Sequence, residues 1–305
     1  VLPEADRISI PASHLAAEVA TQPDDWARAE ATAAAHRHLL PVSGERVAVL
    51  GCGTSLFMAR AFAALRESDG QGLTDAWPAG EPRLARSYDR YLVICRSGTT
   101  TEVLDAISTL PEDIPRTVLC SSAGTPVLDL ADPILLDEVD EHSVIQTRFA
   151  TTTLALLRWH LGEDLRPVVG QARVALAENA AETLANVRHA EQISFVGMGF
   201  AAALADEAAL KLRESCRFWT ESYLATEYRH GPISIAEPGR AVWALGPLPP
   251  GLTDDLRATG AHIEHRGVDP MAELVRVHRL CALRAADLGL DPDHPRNLAR
   301  SVILS

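Results

Sequence analysis

The run VAVLGCGTS over residues 47–55 returns 146 residues later as ISFVGMGFA over 193–201. In each copy a short apolar stretch closes on Gly-x-Gly and leads into a helical pattern, which predicts a strand turning sharply into a helix. A second pair, YLVICRSG over 91–98 and AVWALGP over 241–247, stands at a similar offset. Parallel strands need a crossover between them, so strand-to-helix turns repeated at long spacing confine the chain to a parallel α/β plan. Two related α/β halves are therefore expected, and 305 residues suffice for them.

Strands are expected at 47–51, 91–95, 116–120 and 133–137, then at 193–197, 241–245 and 261–265. Helices are expected at 55–67, 100–110, 145–161, 200–214, 252–259 and 270–288. The resulting partition is a helical extension over 1–40 and a first domain over 41–167. A linker helix, a second domain and a tail fill 168–305.

Composition narrows the function. A formal net charge of −13 argues against a nucleic-acid backbone as partner, but leaves room for a local anion site. No apolar run approaches the ~18 residues of a membrane span, and the opening VLPEAD has no secretory pattern. Cys52, Cys95, Cys120, Cys216 and Cys281 are scattered without CxxC spacing, which suggests reduced thiols and a cytoplasmic protein. Of the 28 basic residues only Lys211 is a lysine.

The two halves differ where their loops could meet a ligand. The first carries Thr54 and Ser55 after its glycines, then Ser97, Thr99, Thr100 and Thr101 after its next strand; the second has Phe200-Ala201 and Gly246-Pro247. A purely structural requirement would persist in both copies, so the asymmetry favours a ligand. Loops that enter helix N-termini at strand ends make anion sites, and hydroxyls around Ser55, Ser97 and Thr100 suit a phosphate monoester. Capping is the other reading, since Thr99 with Glu102 fits a capping box; the two are compatible. Position 56 is Leu, which weakens a dinucleotide reading of GCG, and no Walker pattern occurs.

A second constellation lies in EAALKLRESCRFWTESYLATEYRHGP over 207–232. Glu207, Lys211 and Glu214 share one face of the expected helix, and His230 follows in a Gly-Pro turn. A carboxylate, an ammonium and an imidazole can serve proton transfer; the same residues also suit a solvated ion-pair face and an ordinary loop histidine.

Taken together, GCGTS, RSGTTTEVL (96–104), SVIQTR (143–148), EAALKLRES (207–215), EYRHGP (227–232) and PRNLARS (295–301) resemble the sugar isomerase (SIS) family. The likeness is to its tandem form, as in the isomerase half of glucosamine-6-phosphate synthase. It implies two SIS domains, each a five-stranded parallel sheet flanked by helices, in a homodimer. It places a sugar phosphate on Gly53, Thr54, Ser55, Arg96, Ser97, Thr100, Val144, Ala299 and Arg300. It makes Glu214 the base between C1 and C2, His230 from the neighbouring subunit a ring-opening group, and Lys211 a support for charge on the substrate. No cofactor or metal is implied.

Departures from the pattern matter. No glutaminase domain is present in this sequence, so glutamine-driven synthesis is not expected of this chain alone. Arg96 stands where the family has a glutamine, and Arg300 where it has a lysine. Arginine stays protonated and cannot form an imine. The expected chemistry is proton transfer through an enediol or enolamine, in an aminosugar-phosphate deaminase or an aldose–ketose isomerase. A phosphosugar-sensing module without turnover is the rival. His36 and His38 have no second cluster to make a metal site, and Asp291, Asp293 and His294 read as turn residues.

Overall fold

The computed structural model describes residues 12–82 and 85–304. Residues 1–11 of the expected N-terminal extension lie outside them. The described chain divides into two compact units. One comprises 24–141, 146–166 and 299–304; the other comprises 12–23, 142–145 and 167–298. Helix α1 (His14–Ala35) contains the first division point, after Pro23. Segment 299–304, expected with the second half, thus groups with the first sheet.

The first-sheet unit holds β1 (Val47–Gly51), α2 (Thr54–Ser68), β2 (Thr74–Pro78), β3 (Arg90–Ile94), α3 (Thr101–Ser108), β4 (Arg116–Cys120), β5 (Asp132–Leu135) and α4 (Arg148–His160). Its five strands are parallel in the order β2-β1-β3-β4-β5. The order reverses between β1 and β3, so the loops after both leave the same end of the sheet at a topological switch point. Every residue of β1 is buried, as is β3 after Arg90. Such two-sided burial explains the continuous apolar runs in the sequence.

The second-sheet unit follows α5 (Arg166–Ala177), α6 (Ala180–Thr183) and α7 (Ala185–Arg188) with β6 (Ile193–Gly197), α8 (Phe200–Cys216), β7 (Thr220–Leu224), β8 (Ala241–Leu245), α9 (Leu252–Thr259), β9 (His262–His265) and α10 (Pro270–Asp287). Its sheet has four parallel strands, β7-β6-β8-β9, among the described residues, against the five expected. The sequence reading missed β2 and β7, TDAWP and TESYL. Both are edge strands with only the first residue buried, so neither carries an apolar run.

The duplicated turns have the same backbone. Gly53 sits at φ 54°, ψ −124° and Gly199 at φ 56°, ψ −131°, each immediately before its helix. A Cβ on Gly51 would meet the Ser55 carbonyl carbon at 2.7 Å, and one on Gly197 the Ala201 oxygen at 2.3 Å. The glycines are thus needed in both copies for close approach and a left-handed φ. The hydroxyls beside them are present in one copy alone. No helix among the described residues is long and apolar enough to cross a membrane.

Candidate functional site

In the first-sheet unit the residues after β1 and β3 lie on neighbouring loops at the same end of the sheet, the candidate phosphate cradle. Thr54 and Ser55 open α2 and are buried, each 4% exposed; Ser97 is 7% exposed. The Ser55 side chain has no hydrogen-bond partner among the described residues. Ser97 Oγ and Thr100 Oγ1 are 3.3 Å apart, and Ser97 Oγ accepts the Thr99 N–H at 3.3 Å. The capping box is not formed. Thr100 is the N-cap of α3, no side chain caps the helix, and Thr99 Oγ1 turns instead to Ser301 Oγ at 3.0 Å. The hydroxyls of this loop are directed to one place rather than consumed by the helix.

Arg96 was expected to touch phosphate or substrate. It lies buried against Glu141, with Nη1 3.1 Å from Oε2 and the two side chains 2% and 0% exposed. Glu141 Oε1 also accepts the Thr147 and Arg148 N–H groups at 2.6 and 2.8 Å. Arg96 Nη2 donates to the Arg300 carbonyl at 3.3 Å. The Arg300 guanidinium in turn donates to the Glu141 carbonyl, the Asp140 carboxylate and Ser122 Oγ. Both arginines therefore anchor segment 299–304 at Arg300. Asp140 and Glu141 carry no signal in the sequence, because no spacing rule links Glu141 to an arginine 45 residues before it or Asp140 to one 160 residues after it. Ser301 closes the PRNLARS run, where nothing in the sequence marks it as a partner of the hydroxyl loop.

Cys52, within the same glycine turn, is no nucleophile at neutral pH. Burial and the nearby Glu102 carboxylate push its thiol up to about 11. All five cysteines are unbridged.

In the second-sheet unit, Lys211 and Glu214 meet on α8 as the helical spacing predicts. Lys211 Nζ lies 2.6 Å from Glu214 Oε2 and 3.5 Å from Glu207 Oε1. Lys211 and Glu207 are 1% exposed, whereas Glu214 is 19% exposed and keeps a face open. The ammonium is thus bonded to one oxygen of Glu214 while the carboxylate stays partly open to solvent. His278 of α10, fully buried, feels the same ammonium; burial first and Lys211 second hold its pKa down to about 3. His230 ends a short 3-10 turn, Tyr228–His230; it is exposed and unpaired among the described residues.

Val144 belongs to this unit, where its N–H donates to the Asp293 carbonyl. Ala299 is exposed at the start of the clasped segment of the other unit. His36 Nδ1 contacts the Thr32 carbonyl one turn earlier in α1. Among the described residues no three His, Cys, Asp or Glu side chains gather as metal ligands would.

Comparisons with known proteins bear on this geometry. No family model matches the chain. Glutamine–fructose-6-phosphate aminotransferase (isomerizing) of Sulfurisphaera tokodaii is 29% identical over 304 residues, covering 85% of this chain and 50% of the relative. The enzyme of the same name from Methanothermobacter thermautotrophicus is 26% identical over 303 residues, covering 85% and 51%. The chain spans about half the length of these curated relatives. Among solved structures, glucosamine-6-phosphate deaminase from Thermotoga maritima has a TM-score of 0.79 at 22% identity, covering 96% of this chain and all of that one. Tagatose-6-phosphate ketose/aldose isomerase from Escherichia coli gives 0.78 at 19%, covering 93% and 98%. The chain shares the fold of these phosphosugar enzymes.

Proposed function

We propose that the chain is a tandem SIS protein, its two units being the SIS domains, and that it acts on a hexose 6-phosphate at C1 and C2. The observation that carries this reading is the loop after β3, where the Ser97, Thr99 and Thr100 hydroxyls gather at a common point rather than cap the helix, with Thr54 and Ser55 on the neighbouring loop after β1. Neutral hydroxyls and backbone N–H groups suit a phosphate monoester in a chain whose net charge is −13. The relatives are named as isomerizing glutamine–fructose-6-phosphate aminotransferases, and a structural neighbour as a glucosamine-6-phosphate deaminase.

In this reading Glu214 takes the C2 proton of open-chain glucosamine 6-phosphate and returns a proton to C1. The enolamine becomes a ketimine, and water releases ammonia and fructose 6-phosphate. Lys211 orients Glu214 through its hydrogen bond to Oε2. His230, supplied by a second copy in a homodimer, assists ring opening. Arg300 is committed to Asp140 and the Glu141 carbonyl, which supports a route without a covalent imine. With a hydroxyl at C2 the same proton transfer interconverts aldose and ketose, and the likeness to the ketose/aldose isomerase fold favours keeping that branch.

Proton NMR in D₂O with glucosamine 6-phosphate and, separately, fructose 6-phosphate, with ammonia measured in parallel, tests the proposal. Ammonia release with deuterium in the product establishes deamination. Deuterium exchange with fructose 6-phosphate and no ammonia establishes isomerisation. Binding of both sugars without turnover makes the chain a sensor and defeats the enzyme reading.

A further inference from the structure

We propose that segment 300–304 is a plug of its own phosphate cradle, competing with an incoming phosphate for the same donors; this rests on the reading of the cradle as a phosphate site. Ser301 Oγ accepts hydrogen bonds from Ser97 Oγ at 3.2 Å and Thr99 Oγ1 at 3.0 Å, and lies 3.4 Å from Thr100 Oγ1. It occupies the acceptor position on which these hydroxyls converge. A phosphate oxygen bonded to Ser97 and Thr100 would stand roughly 2.7 Å from each and could not coexist with Ser301 Oγ. The backbone donor is taken as well. The Thr101 N–H, in the first turn of α3, donates to the Val302 carbonyl at 3.1 Å, and the Leu304 N–H donates back to Thr101 Oγ1 at 3.0 Å. One segment thus takes up both the hydroxyls and the helix-end N–H that an anion would use.

The plug is built to leave. Val302, Ile303 and Leu304 are 54%, 74% and 57% exposed, so little apolar burial secures them. Fixed contacts begin at Arg300, whose guanidinium is held by Asp140, the Glu141 carbonyl and Ser122, and whose carbonyl is held by Arg96. Residues beyond that anchor can lift while it stays. Hydrogen bonds to a charged phosphate oxygen are about twice as strong as those to a neutral hydroxyl, so phosphate displaces the serine. Arg96 becomes a positioning residue that sets how readily the segment reseats.

Titration calorimetry of the full chain with inorganic phosphate and with glucosamine 6-phosphate tests this. Removing the internal competitor in Ser301→Ala should tighten both by ~3–10-fold, the net worth of one to two hydrogen bonds. Ser301→Asp, which offers the cradle a carboxylate, should weaken both by at least ~10-fold. In the unmodified chain, phosphate should speed amide exchange in 300–304 while slowing it in 97–101. Weaker binding by Ser301→Ala would make the serine a phosphate ligand and overturn the plug. So would unchanged affinity, or slower exchange in 300–304. If no variant binds either probe, the phosphate reading fails and the plug falls with it.

Discussion

Lys211 Nζ stands 2.6 Å from Glu214 Oε2, and the lysine is 1% exposed while the carboxylate keeps 19% of its side chain in reach of solvent. A buried cation joined to a partly open carboxylate fixes the direction of the candidate base. Glu214→Gln keeps the shape and loses the base, so sugar-phosphate binding should persist while turnover drops by about 10²–10⁴-fold. Lys211→Met leaves Glu207 buried beside an apolar side chain and should cost about 3–5 kcal/mol of stability as well as activity. Parallel calorimetric titrations, turnover measurements and urea melts separate the two effects.

Ser55 offers the cleanest probe of the cradle, because its hydroxyl serves no partner among the described residues. Ser55→Ala should weaken inorganic phosphate and glucosamine 6-phosphate by about 5–30-fold, the loss of one charge-assisted hydrogen bond, with the melting profile unchanged. Equal affinity in the variant would remove Ser55 from the site. The matching position in the second copy, Ala201, should accept serine without any gain in binding.

The Arg96–Glu141 pair is a structural bond at a position where the family resemblance led us to expect a ligand. Arg96→Met leaves the Glu141 carboxylate buried without its cation and should cost about 3–5 kcal/mol. Urea unfolding measures it. A loss of sugar-phosphate affinity with stability unchanged would return Arg96 to the ligand set.

His278 links stability to acid. Its pKa of about 3 in the folded chain lies below the usual 6.5, so the unfolded chain binds the extra proton. Its contribution is complete above pH 6.5 and is lost as pH falls towards 3, amounting to about 2 kcal/mol by pH 5. Unfolding free energies across pH 5–7.5 should show this slope, and His278→Leu should flatten it. An imidazole NMR signal that titrates near 6.5 in the folded chain would refute the assignment.

If His230 acts on the partner copy's Glu214, mixing inactive Glu214→Gln and His230→Ala chains after unfolding and refolding should restore about a quarter of the normal activity, through mixed dimers with one intact site. No recovery, with dimers present by light scattering, would place His230 in its own subunit's site or outside the chemistry.

The interior strands and the helices were legible because burial on both faces writes a continuous apolar run, and a helix writes its 3.6-residue period. The edge strands β2 and β7 carry neither pattern, since one face is partly solvated. Ser97 and Thr100 stand out as candidates for the site through the unequal copies. The spacing of Thr99 predicts a bond towards Glu102, its neighbour in sequence, but its hydroxyl goes to Ser301, 202 residues away.

By itself the sequence determined the duplicated parallel α/β plan, the glycine turns that both copies require, and the one-sided placement of the hydroxyls. These are local matters of backbone sterics, periodicity and residue type. Tertiary structure alone decided that Arg96 pairs with Glu141, and that Ser301 lies among the hydroxyls of 97–100. A hydrogen bond between distant segments depends on where the fold brings them, and no period or spacing in the chain records that meeting.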